Sequence, residues 1–80
     1  MDNSEQMRIL CRNIKYLRTK HGLTKTEMMK ILKVSHKTLT SIESGVMPPG
    51  VGVNMLFRLR RAFRIPLITL FSQNLGDENK

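Results

Sequence analysis

The sequence predicts an all-α protein, a compact bundle of five short helices, and three observations predict it. Apolar residues recur at steps of three and four almost throughout, as on one face of a helix, and no run alternates with the period of two that marks a strand. Signals that start and stop helices fall between these stretches at short intervals. The chain has 80 residues and one cysteine, Cys11, so it makes a single domain near the lower size limit for one hydrophobic core, without a disulfide. Cys11, His21 and His36 share no ligand-like spacing, so neither a structural metal nor a cofactor is expected.

The first helix is expected at about Ser4–Lys20, where Met7, Leu10, Ile14 and Leu17 form one apolar stripe. Gly22 follows as a left-handed stop, with Leu23 folding back as its hydrophobic contact. Thr24-Lys25-Thr26-Glu27 reads as a capping box, in which hydroxyl and carboxylate satisfy two orphan amides reciprocally. It opens a second helix, about Lys25–Leu32, with Met28, Ile31 and Leu32 inward. Ser35 is a good N-cap for a third, about His36–Ser44, which turns Leu39 and Ile42 inward and ends at Gly45. The density of Pro and Gly from Val46 to Gly52 excludes regular structure. A fourth helix fits Val53–Phe63, with Leu56, Leu59 and Phe63 as core, and Pro66 suits the first turn of a fifth through Phe71. One domain is therefore expected over residues 1–72, followed by a flexible tail at 73–80.

The charge is one-sided. Lys and Arg number 14 against 6 Asp and Glu, a formal balance of +8. Between Arg8 and Arg64 lie thirteen bases and only two acids, Glu27 and Glu43. Such an excess costs self-repulsion in the compact state and points to a polyanionic partner, nucleic acid before an acidic protein or a membrane surface. Arg58, Arg60, Arg61 and Arg64 form a second basic cluster whose target the spacing leaves open. No apolar run approaches the roughly 18–20 residues of a membrane span, and Asp2 and Glu5 do not suit a secretion signal, so a cytoplasmic location is expected. No Ser/His/Asp or Cys/His set is present, and the carboxylates are few and scattered, so an enzyme is not expected.

Two short helices joined by a tight turn, the second polar on its outer face, make the helix-turn-helix arrangement, here at about residues 25–44. Leu17-Arg18, Gly22-Leu23-Thr24, Val34-Ser35, Thr38 through Gly45, and Leu70-Phe71 together resemble the Cro/repressor-type helix-turn-helix family, the XRE-like regulators. The resemblance covers roughly residues 8–71 and is strongest from Ser35 to Gly45. It implies a lambda-repressor-like fold and a regulator, expected to be a repressor, that binds double-stranded DNA. Departures from the pattern are Lys25 where Gln is usual, Met29 where Ala is common, Lys33 where Gly is common, and a Pro-Pro-Gly insert before the fourth helix.

In this arrangement the third helix enters the major groove with its N-terminal residues nearest the base edges. These are His36, Lys37 and Thr38, with Thr40 and Ser41 further along the outward face. Lys37 and His36 suit guanine acceptors and Thr38 a thymine methyl; the resemblance places base contacts at His36, Lys37 and Ser41. Phosphate contacts are expected at Thr24, Lys25 and Thr26, where free amides and the positive helix end favour an anion, and at Ser35 and Ser44. The resemblance pairs Arg18 with Glu43 as a structural ion pair that fixes the angle of the third helix.

The fifth helix is too apolar to bury every face against one small core. Leu67, Ile68 and Phe71, together with Val46, Met47, Val51 and Val53, suggest a surface that a second copy covers, giving a homodimer on a palindromic site. A rival expectation is an antitoxin-like module that neutralises a partner protein, such as a toxin, and regulates its own promoter. Cys11 is expected to be an inert buried thiol.

Overall fold

The computed structural model describes residues 4–76, in five helices: α1 (Ser4–Lys20), α2 (Lys25–Leu32), α3 (His36–Glu43), α4 (Val53–Phe63) and α5 (Leu67–Ser72). The core draws on all of them. Leu10, Cys11, Ile14 and Leu17 of α1 meet Met28 and Leu32, Leu39 and Ile42, Met55 and Leu59, and Leu70. Helix α1 packs on α5 and α3, and α2 packs on α3 and α4, so α3 is held from two sides while its remaining face looks outward.

Local chemistry sets the helix ends. Helix α1 stops where the Leu23 amide donates to the Arg18 carbonyl at 2.9 Å and the Gly22 amide to that of Thr19 at 3.1 Å, with Gly22 at φ +67°. The capping box forms as expected: the Thr24 amide donates to Glu27 Oε1 at 2.8 Å and the Glu27 amide to Thr24 Oγ1 at 3.1 Å. At the end of α2, Lys33 takes the left-handed conformation (φ 56°) in the place where glycine is common, and its amide closes on the Met29 carbonyl. The Val34 amide shares that carbonyl, and only Val34 and Ser35 separate Lys33 from α3.

Three expectations shift. Helix α3 ends at Glu43, with Ser44 as its cap, because the Gly45 and Val46 amides fold back onto the Ile42 and Ser41 carbonyls. Pro66 stands just outside α5 as its N-cap. On α4 the buried residues are Met55 and Leu59, while Leu56 and Phe63 are only half-buried. Leu56 looks onto a small apolar cavity of about 80 Å³ shared with Met7, Met47, Val51 and Phe71. Phe63 instead lies against the His21 ring, centroids 5.1 Å apart.

The segment expected to open a flexible tail at residue 73 is tied down as far as Leu75. Asn13, 1% exposed, sits inside the apolar stripe of α1. Its Nδ2 donates to the carbonyls of Leu70 at 2.8 Å and Gln73 at 2.7 Å, and its Oδ1 accepts from the Leu75 amide at 3.1 Å. A buried amide is tolerable only when its bonds are made, and this one uses its capacity to fasten the chain past α5 onto α1. The remainder of the expected tail, 77–80, lies outside the described residues, as do residues 1–3 of the expected domain.

Candidate nucleic-acid interface

The outward stripe of α3 carries His36, Lys37, Thr40, Ser41 and, one turn on, Ser44, while Leu39 and Ile42 are fully buried on the opposite side. His36, Lys37 and Thr40 are exposed, and their side chains make no hydrogen bond or ion pair among the described residues. Their donors and acceptors face solvent. Thr38 is half-buried: its amide donates to Ser35 Oγ at 3.1 Å, and its own hydroxyl accepts from Ser35 Oγ at 3.0 Å. Ser35 thus caps α3, and its hydroxyl is engaged twice before any ligand arrives.

At the start of α2, the Thr24 hydroxyl oxygen accepts the Glu27 amide, while Lys25 is half-buried and Thr26 exposed. The Thr24 amide and hydroxyl together hold the Glu27 carboxyl below the usual carboxylate range. The Thr24 and Glu27 amides of this helix end are therefore occupied, and those of Lys25 and Thr26 remain for an anion.

The C-terminal end of α3 is bonded instead of open. Arg18 Nε donates to Glu43 Oε2 at 2.7 Å and Nη2 to Oε1 at 3.0 Å, a two-pronged pair, while Nη1 donates to the Leu23 carbonyl at 3.0 Å. The side chains retain only 15% and 5% exposure, and the Glu43 carboxylate holds the Arg18 guanidinium more firmly charged than usual. One guanidinium thereby joins the end of α1, the turn before α2 and the end of α3. Ser41 Oγ donates to the Val46 carbonyl at 3.1 Å, and Ser44 Oγ to the Ser41 carbonyl at 2.7 Å.

The expected base-reading residues thus divide. His36, Lys37 and Thr40 stand free on one face; Thr38 and Ser41 are partly committed to their own helix. Of the expected partner-covered surface, Ile68 is 76% exposed, and Val46 and Val53 are exposed with it. Leu67 and Phe71 are half-buried against their own core. Phe57, half exposed, is a further exposed apolar residue that the sequence reading does not single out. Asn13 was also missed; the signal for it is a polar residue interrupting an apolar helix stripe. Burial pushes the Cys11 thiol above its ordinary value, in keeping with an unreactive core residue.

Among the described residues no cluster of His, Cys, Asp and Glu is arranged to hold a metal ion, and no helix is long and apolar enough to cross a membrane. No curated protein and no solved structure matches the chain significantly. A family model, helix-turn-helix, matches residues 14–70, which is well over half of the sequence and spans every helix from the middle of α1 into α5. The chain therefore belongs to the Cro/repressor-type helix-turn-helix family of DNA-binding regulators, with a lambda-repressor-like helical fold.

Proposed function

We propose that this protein is a sequence-specific transcriptional repressor that binds a palindromic operator as a homodimer in the cytoplasm. The observation that carries this reading is the free face of α3, with His36, Lys37 and Thr40 exposed at its N-terminal end while Arg18 grips the other end. Lys37 reads guanine, His36 reads guanine or a phosphate, and Thr38, Thr40 and Ser41 add short polar and methyl contacts. Thr24, Lys25 and Thr26 take one backbone phosphate at the start of α2, and Ser35 and Ser44 flank it. Repression follows by occupying a promoter.

Size leaves room for the dimer. The molecule is 30 Å along its longest axis, less than the ~34 Å between successive major grooves on one side of DNA. One copy fills one groove, and two copies side by side match the repeat. Ile68, with Leu67 and Phe71 beneath it, is the apolar surface assigned to that contact.

The test is selection of bound sites from a random duplex pool at physiological salt. A palindromic consensus with half-sites about ten base pairs apart is expected, and no consensus would overturn the reading. The antitoxin alternative rests on the same exposed apolar residues, Val46, Val53, Phe57 and Ile68. It is favoured if these bind a different polypeptide in a complex that survives high salt while the purified chain stays monomeric.

A further inference from the structure

Arg8, Arg12, Lys15 and Thr19 follow one another at steps of four, three and four, so one face of α1 carries them all. With Tyr16, Asn74 and Gly76 they line an open groove of about 540 Å³, and Ser44 and Gly45, beyond the end of α3, line it as well. Arg8, Arg12 and Lys15 are exposed, and none is paired with a carboxylate among the described residues. Among the described residues the single acid lining the groove is Glu43, already neutralised by Arg18.

The end of a helix normally repels an anion through its orphan carbonyls. Here three of the last four are occupied: Ser41 accepts from the Val46 amide and the Ser44 hydroxyl, Ile42 from the Gly45 amide, and Thr40 from the Ser44 amide. The groove therefore carries cations from α1, and the end of α3 beside them turns few open carbonyls toward an anion. No part of the α2–α3 unit supplies this charge, and the loop after α3, Val46 to Gly52, contains no cation at all.

Resting on the DNA-binding reading above, we infer that this groove carries the phosphate backbone of the DNA flanking the recognition site. Ser44 belongs both to the groove and to the proposed backbone contacts, so the two surfaces are continuous. From Arg8 to Lys15 is a rise of ~10 Å along a helix, so the cations form a row longer than one phosphate group. An open trough with charges in a row suits a continuous polyanion, whereas a small anion needs a closed pocket.

The experiment compares two fluorescent duplexes carrying the selected site, one trimmed to the half-sites and one with a further helical turn at each end. The unaltered chain binds the longer duplex more tightly. The variant R8Q/R12Q/K15Q, whose three changes fall on exposed positions, loses that advantage, an expected ~10-fold or larger drop on the longer duplex, and its salt slope falls by about 2 to 3. On the trimmed duplex it binds as the unaltered chain does, and its circular dichroism and melting curve are unchanged. Equal binding of both proteins to the longer duplex would overturn the inference. So would an equal loss on both duplexes, which would mark the cations as a general attraction without a place on the flank. If the unaltered chain bound neither duplex, the DNA-binding reading itself would fall, a result distinct from either of these.

Discussion

At the N-terminal end of α3, His36, Lys37 and Thr40 project into solvent with no partner in the described chain; at its C-terminal end, Ser41, Glu43 and Ser44 are each held by a hydrogen bond or an ion pair. Eight residues of helix thus contain both a fixed part and a free part. The difference teaches how so small a domain aims a helix. A recognition surface must keep its polar groups unsatisfied until DNA supplies partners, so it cannot anchor itself through them. The anchoring is done one to two turns further on, where the Arg18 guanidinium reaches across from α1.

Breaking the fixed end gives the largest effect. Glu43→Ala leaves the Arg18 guanidinium, 15% exposed, without its carboxylate, and an expected loss of ~3 kcal/mol should appear as a lower urea midpoint at an unchanged slope. The double change Arg18→Met with Glu43→Leu removes both charges and should lie within ~1 kcal/mol of the unaltered protein. Its DNA affinity should nonetheless fall, because an apolar pair does not fix the helix angle. Full retention of both stability and affinity in the double variant would show that the pair does not aim α3.

Changing the free end should do the reverse. Lys37→Ala is expected to leave the melting temperature alone and to relax preference at one base position by ~1–3 kcal/mol, read by competition with substituted duplexes. Lys25→Ala should weaken all duplexes alike and lower the salt slope by about 1. Equal losses on cognate and random DNA for both variants would erase the division between reading and gripping.

Neighbouring positions sharpen the contrast further. Ser41→Ala removes the bond to the Val46 carbonyl and should cost ~1 kcal/mol, whereas Thr40→Ala should cost little in denaturation and act only on DNA binding. Similar stability losses at the two positions would mean that the helix is held uniformly.

The smallest effect concerns the start of α2, where Glu27 is the fixed partner of a free helix end. Its folded-state pKa is lowered by Thr24, so the contribution of the capping box is present above the ordinary value of 4.5 and fades as pH falls through and below it. The gap in melting temperature between the unaltered chain and Glu27→Ala should therefore be open at neutral pH and close on acidification. A gap that persisted at low pH would assign the contribution of Glu27 to its uncharged side chain and not to the carboxylate.

Legibility in the sequence tracks the distance between partners. Thr24 with Glu27, Ser35 with Thr38, and the folds at Gly22 and Gly45 bond across at most five residues, and each is visible as a local signature. The bounds of α1, α2 and α4 follow directly from such signals and from apolar spacing. Arg18 and Glu43 stand 25 residues apart, and only the family pattern pairs them. The facing of α4 was not legible, because adjacent Met55 and Leu56 fit an inward stripe equally well and only the packed core chooses between them. Nor does spacing show that Ser41 spends its hydroxyl on Val46. The face of α3 could be read; how much of it stays available could not.

Asn13 bears on the order of events in folding. The hydrogen bond between its Oδ1 and the Leu75 amide joins residues 62 apart, so nearly the whole chain must be in place before it forms. Closing so long a loop costs entropy that is recovered only after the nearer helices have packed, which puts this contact late on the folding route. Asn13→Ala should accordingly speed unfolding and leave the folding rate almost unchanged, a φ-value near zero in stopped-flow measurements. The side chain then acts as a latch on the lifetime of the native state, with no part in the speed of its assembly.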